Sequence, residues 1–565
     1  MLITRLLQKK ATGIEQRQID FMKVIGISTK LSIGHRKLLE ALGLAFGVRF
    51  EELEFQPNAK VDGWFLHHPD RKNMELVESC DRPCYVIIDD DTLLPIKSCS
   101  TIQFAKHPAL SEVLRGREVR SDEVAALRVL PKNLLTNKEA LAWKAGKPVW
   151  AISEQRNRQH HFIVSPIPEV QGDEPLLHYL NGSKFLLLLP LVLFLRDFIK
   201  KDDWESPPLR ACFMFDDPNL HWPTYGYIDF KQILKCAKNE NYHVSFATIP
   251  LDSWYVNRKT ADLFKQNQDR LSLLIHGNDH TFNELGRYYR GDERKQILLQ
   301  AIARIAKLEH RSSIKVARVM APPHGACSEA FLEEMSRTGF EAICVSNGSL
   351  VYHNKSADWL KTIGIREYDV VRGFPILPRF RLSKDCHNSI LLAAVLNQPI
   401  IPVGHHHDLE EGLEILRETS GFINSLGTVH WMDLKSMIRS QYACKFSNST
   451  LNIRIYSKRI EVPIPKSIDR VVIDDSRKQG VAHGSMFWRT VGEKPEWKQL
   501  SFRKIDGVTP GKRIEIADHS GILPPECKTN NLQFNLYPIL RRQLTEARDR
   551  VLPAVHKVSK RIINR

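Results

Sequence analysis

Several common signatures are missing from this 565-residue sequence. There is no long apolar run. The most apolar segment, residues 185–195, "FLLLLPLVLFL", is broken by Pro190 and followed by Arg196 and Asp197. It falls short of the roughly 20 residues needed to cross a bilayer and is read as a buried helix rather than a transmembrane segment. The opening stretch, "MLITRLLQKKATGIEQRQ", lacks the apolar core and small-residue cleavage site of a secretory signal, so a cytoplasmic location is expected. The ten cysteines are scattered, and the nearest pair, Cys80 and Cys84, has no second pair to complete a zinc site. G-x-G-x-x-G and Gly-Lys-Ser phosphate loops are absent, as are RNA- and DNA-binding motifs, which argues against nucleic acid as a partner. Acidic residues are in deficit. Lys and Arg number 81 against 65 Asp and Glu, a net charge of +16 that favours an anionic partner such as an acidic glycan or nucleotide.

What is present is the composition of a globular chain long enough for about two to four domains. Residues 1–200 hold apolar strands ("FMKVIGIST", "CYVIIDD", "KPVWAIS") alternating with a helical run from His35 to Val48. This predicts an α/β accessory domain with a mainly parallel sheet, flavodoxin-like or amidotransferase-like in outline. No strand-turn-helix elbow surrounds Cys84, so it is read as structural. "KKDDWESPPLR" is a linker. Residues 206–445 repeat the strand–helix alternation, which implies a barrel or doubly wound domain with functional groups at the carboxyl ends of its strands. Residues 446–540 form short alternating strands between turns, as in a small β-sandwich. Residues 541–565 read as a basic, partly helical tail, either solvated or a docking surface for an anionic partner.

The unusual residues of the central region sit where its strands end. "CFMFDD" ends in Asp216 and Asp217, two adjacent like charges that a cation would reconcile. "LSLLIHGNDH" ends in His276 and His280, four residues apart, so one helical turn would bring both rings to one side. "VMAPPHG" ends in Pro322, Pro323, His324 and Gly325, and "IIPVGHHHD" in His405, His406, His407 and Asp408. Two imidazoles and a carboxylate suit zinc or a similar divalent ion with one position left open.

In order and spacing these motifs resemble the polysaccharide deacetylase superfamily, carbohydrate esterase family 4 and its NodB-like relatives. "MFDDP" stands for T-F-D-D-G, "HGNDH" for H-x-x-x-H, "APPHG" for R-x-P-x-G, and "VGH" for L-x-H. The resemblance implies an irregular (β/α)7 barrel, TIM-like, that binds zinc and removes acetyl from an N-acetylated carbohydrate. It makes Asp216 the base, and Asp217, His276 and His280 the metal ligands. The backbone near Pro323 and His324 becomes an oxyanion donor, and His405 the acid. His407 competes for that last role, since on an extended strand it shares a face with His405. Ala321 replaces the arginine that orients the base, for which Arg318 or Arg372 are candidate substitutes. Asn219, His221 and Trp222 either wall the pocket or pack the loop. A C–N hydrolase of small non-sugar amides and a non-catalytic carbohydrate-binding protein are the alternatives.

Overall fold

The computed structural model describes residues 22–28, 30–88, 101–120, 130, 137–155, 158–164, 167–172, 174–180, 185–199, 204–355, 357–477, 485–493, 496–500, 503–519 and 536–563. It divides into two units, one of residues 1–201 with 361–366, the other of residues 202–360 with 367–565. Among the described residues no helix is long and apolar enough to cross a membrane.

The first unit is built on one nine-stranded sheet. Its parallel part contains β1 (Lys23–Ile27), β2 (Val48–Glu52), β3 (Gly63–His67) and β4 (Cys84–Ile87). The helix α1 (Ile33–Phe46) connects β1 to β2; Ser32 caps its start and Gly47, at φ 65°, ends it. Beyond β4 the sheet departs from the mainly parallel expectation. β5 (Thr101–Phe104), β6 (Glu118–Arg120), β7 (Glu139–Lys144), β8 (Lys147–Gln155) and β9 (Arg158–Ile163) pair antiparallel with one another, and β9 joins β4 in parallel. The β7–β8 hairpin turns on Ala145 and Gly146, both at positive φ, the backbone a tight two-residue hairpin requires. The apolar run forms the buried helix α2 (Phe185–Ile199), with Pro190 inside it. Cys84 is fully buried in β4, and burial pushes its thiol well up, as befits a structural residue.

The second unit carries the strand-end residues. Parallel strands β10 (Phe213–Asp216), β11 (Val244–Thr248), β12 (Leu271–His276), β13 (Val316–Ala321) and β14 (Ala342–Val345) lie in sequence order. β15 (Phe374–Pro378) then pairs with β14. One residue later the same stretch continues as β16 (Phe380–Arg381), which pairs with β17 (Pro402–Gly404), and β17 returns to β10. The stretch 374–381 therefore joins both ends of the sheet and closes a ring of seven, with Arg379 at the seam. Its interior is a core of Met214, Ala247, Leu274, Val319, Cys344 and Leu377. Alternation along each strand places these residues on one face, and the last residue of each strand emerges at the carboxyl rim.

Beyond the ring, two four-stranded sheets from Tyr442 to Asp518 share a core that includes Leu451, Ile453, Ile460, Val462 and Ile514. They are docked through buried ion pairs of Arg439 with Glu341 and Glu515, at 2.6 and 2.9 Å. The chain then ends in a 28-residue helix, α3 (Leu536–Ile563).

Candidate metal centre and catalytic site

β10 delivers Asp216 and Asp217 into different surroundings. Asp216, the last residue of the strand, is buried, and Arg379 donates to its carboxylate at 2.9–3.0 Å. Burial disfavours the Arg379 charge, but the Asp216 carboxylate outweighs it and holds the guanidinium's pKa above its usual value. Arg379 is thus the cation facing the base candidate. Arg318 and Arg372 are engaged elsewhere: Arg318 pairs with Glu309, and Arg372 with Glu329 and Asp358.

Asp217 leaves the strand with φ 82°, a left-handed conformation rare for a non-glycine residue. That turn brings its Oδ1 to 3.4 Å from His276 Nε2 and 3.0 Å from His280 Nε2. His276 is the last residue of β12, where a register shift after Leu274 sets it opposite Ala321. Its Nδ1 donates to the Ala321 carbonyl at 2.9 Å. Ala321, where the motif resemblance leads one to expect arginine, thus orients a histidine through its backbone.

The loop carrying His280 is not the helical turn its spacing implies. Gly277 and His280 both take positive φ, 61° and 56°. The buried Glu284 carboxylate gathers the N–H groups of Asn278, Asp279 and His280 at 2.7–3.3 Å. Burial pushes the Glu284 carboxyl up, against the pull of those amides. A Cβ at Gly277 would collide with Glu284 and Pro323. Glu284, four residues beyond His280, is a sequence-visible member of this site whose role the spacing of the histidines alone did not disclose.

The three side chains converge as a cation would require. With His276 Nδ1 committed as a donor to a carbonyl, Nε2 is the nitrogen that faces the carboxylate oxygen, and in the neutral ring it carries the lone pair a metal needs. Asp217 Oδ1 is buried and accepts no hydrogen bond of acceptable geometry. Burial would raise the Asp217 carboxyl, yet the two histidines hold it well below the carboxylate range. Burial would lower His276, yet the Asp216 and Asp217 charges raise it. Converging lone pairs on an orphaned oxygen are the arrangement a divalent ion satisfies.

Among the described residues a second group, His406, His407 and Asp549, also has ligand atoms within 4.8 Å of one another. Its carboxylate is already engaged: Tyr225 donates to Oδ2 at 3.0 Å and Arg548 to Oδ1 at 2.7 Å. It is a hydrogen-bonded ion-pair cluster with no orphaned oxygen.

The β10–β17 register pairs Phe215 with Gly404, and Asp216 and His405 are the residues that follow on the two segments. The strand ends at Gly404, and residues 406–409 turn as a short 3-10 helix, so His407 does not share a strand face with His405. His405 and His407 nevertheless line one cavity of about 270 Å³ together with Asp217 and His280. His324, at φ 57°, lies outside the metal group, its ring 5.1 Å from His280 and 5.5 Å from Phe282. Burial and the neighbouring His280 lower its pKa to about 4.

The far wall of the cavity is α3, the segment the sequence presents as a basic tail. Arg541, Arg542, Thr545 and Asp549 face in. Arg542 donates to the Asp217 carbonyl at 2.8 Å, to Asp252 at 2.8 Å and to Tyr225 at 3.1 Å. Arg541 donates to the His280 carbonyl at 3.0 Å. Asn219 and His221 are buried under this helix rather than lining the cavity: His221 meets Glu546 at 3.2 Å, and Arg550 reaches both Asn219 and the Trp222 ring.

No protein-family model matches the chain, and no curated protein matches it in sequence. Similar solved structures include Agd3, a carbohydrate deacetylase, at 10% identity and TM-score 0.46, covering 88% of this chain and 99% of that one. A family 4 carbohydrate esterase from Streptomyces lividans, in complex with acetate, is 10% identical at TM-score 0.24, over 40% of this chain and 93% of its own. BA3943 of Bacillus anthracis, a pseudoenzyme of the same family, is 12% identical at TM-score 0.26, over 43% and 69% respectively. Carbohydrate deacetylases are thus among the structures this chain is similar to.

Proposed function

We propose that the chain is a metal-dependent hydrolase that removes acetyl groups from an N-acetylated sugar or glycan intermediate, on the (β/α)7 barrel of the deacetylases. One observation carries this reading. Nε2 of His276 and Nε2 of His280 converge on an Asp217 oxygen that has no hydrogen bond of its own, one residue from a carboxylate paired with a buried arginine.

Asp217, His276 and His280 would hold the divalent ion, zinc by the chemistry of an N2O donor set. It would supply Lewis-acid polarisation of the amide carbonyl and acidify the attacking water. Asp216, oriented by Arg379, accepts the proton of that water. The oxyanion donor is the backbone N–H of His324. Pro322 and Pro323 have no N–H, and those of Gly325 and Ala326 are taken by the Pro322 and Pro323 carbonyls at 3.1 Å. His405, which lines the same cavity as Asp217 and His280, delivers a proton to the leaving amine; His407 is the second candidate for that step. Arg541 and Arg548 in the cavity wall favour a substrate with an anionic group nearby.

The test is a deacetylation screen over N-acetylated monosaccharides, oligosaccharides and nucleotide sugars, with and without added zinc, alongside Asp217→Ala, His405→Ala and His407→Ala. Zinc-dependent acetate release that is lost in Asp217→Ala supports the reading. Release of amine from small ureides instead would move the substrate to non-sugar amides. Zinc uptake with no turnover on any substrate would leave a carbohydrate-binding protein.

A further inference from the structure

The last helix is turned the wrong way round for a solvated tail. Two of its charged residues point into the protein: Arg542 and Asp549 are 6% and 3% exposed. Its apolar residues point out: Leu536 is 58% exposed, Leu540 58%, Leu544 73% and Val551 57%. At about 3.6 residues per turn, positions 536, 540, 544 and 551 fall on one stripe, and the inward-facing 538, 542, 545 and 549 lie on the opposite side. Burying the stripe would have been the ordinary way to dock a helix. Here hydrogen bonds and ion pairs hold the polar face, and the apolar face remains on the surface.

We propose that α3 is an interfacial helix that docks this protein on an anionic membrane surface through Leu536, Leu540, Leu544 and Val551. Charge selects this occupant. Residues 536–565 contain eight Lys or Arg and two acidic residues, a net +6 within a chain of net +16. An apolar stripe on a cationic helix is the pattern that lies in the headgroup region of acidic bilayers. A second copy would set one cationic helix against another, which opposes self-association. Two exposed aromatic rings belong to segments that α3 contacts, and such rings are favoured where protein meets headgroups. Trp222, 57% exposed, lies under Arg550, and Phe282, 68% exposed, is two residues beyond His280, whose carbonyl Arg541 holds.

The experiment is flotation of the full chain with phosphatidylcholine vesicles and with vesicles also containing phosphatidylglycerol, for the native protein and for Leu540→Asp/Leu544→Asp. Both leucines are outside the cavity lining, so zinc uptake should be unchanged. The native chain should float with the anionic vesicles, weakly with the neutral ones and less as salt rises. The double variant should bind about tenfold or more weakly. Should the variant misfold, a milder one, Leu544→Trp, reports directly through a blue shift of its fluorescence on anionic vesicles. Absence of binding by the native chain, unchanged binding by the double variant, or no shift in Leu544→Trp each overturns the proposal. So does a concentration-dependent dimer that the aspartates abolish, which would make the stripe a surface for a second copy. None of these readouts depends on catalysis.

Discussion

Replacing Arg379 by methionine removes the charge and keeps much of the volume where its buried guanidinium meets the buried Asp216 carboxylate. At 2.9 Å and an effective dielectric of about 20, the attraction between Arg379 and Asp216 is about 6 kcal/mol. Much of that offsets the desolvation of both groups, so the intact pair contributes little net stability. Removing one partner leaves the other buried and uncompensated, and breaking such a pair costs about 3–5 kcal/mol. Arg379→Met should therefore lose about 3–5 kcal/mol in equilibrium urea unfolding of the intact chain. The double variant Asp216→Asn/Arg379→Met should be more stable than Arg379→Met, because its buried carboxylate is gone. Turnover should be lost in both, and Arg379→Lys should recover part of it. A cost below about 1 kcal/mol for Arg379→Met, or a double variant less stable than the single one, would refute the ion-pair argument.

Other outcomes follow from the same geometry. Asp217→Asn and His280→Ala should each abolish zinc uptake measured by titration calorimetry, whereas Asp216→Asn should keep the metal and lose the rate. Gly277→Ala forces a side chain into a left-handed position against Glu284 and Pro323. It should cost about 1–3 kcal/mol and weaken zinc uptake, read by thermal unfolding and calorimetry. The docking of α3 should depend on pH through His221 and Glu546. Burial would raise Glu546, but His221 and Arg550 hold it at about 2, so its contribution is present above the usual carboxylate pKa and is lost as pH falls toward 2. Burial lowers His221, but Glu546 raises it above 6.5, so its contribution is present below 6.5 and is lost as pH rises through the raised value. Limited proteolysis of the helix should be slowest between these limits; cleavage independent of pH would refute the assignment.

The sequence made the ligands legible because each sits at the end of an apolar strand, where local pattern and chemistry coincide. Asp216, Asp217, His276 and His280 could be read without knowing which strands are neighbours. Arg379 could not. It follows an unremarkable "PILP", and it meets Asp216 only because residues 374–381 pair with β14 on one side and β17 on the other. Ala321 read as a missing arginine because its contribution is a carbonyl, which every residue has. The histidine spacing implied a helical turn, while the buried Glu284 drew the same residues into a tight loop of amides. The antiparallel half of the first sheet was obscured because a buried strand such as "KPVWAIS" looks alike in either pairing. In α3 the charge pattern gave no sign of which residues turn inward, and Arg542 and Asp549 do so.

The position of Arg379 binds architecture to reactivity. The stretch that ties β14 to β17 also carries the countercharge of Asp216, so opening it would withdraw that countercharge while leaving Asp217, His276 and His280 on the segments at the ends of β10 and β12. A chain loosened there would still capture its ion but have a poorly held proton acceptor, failing in turnover before it failed in metal binding.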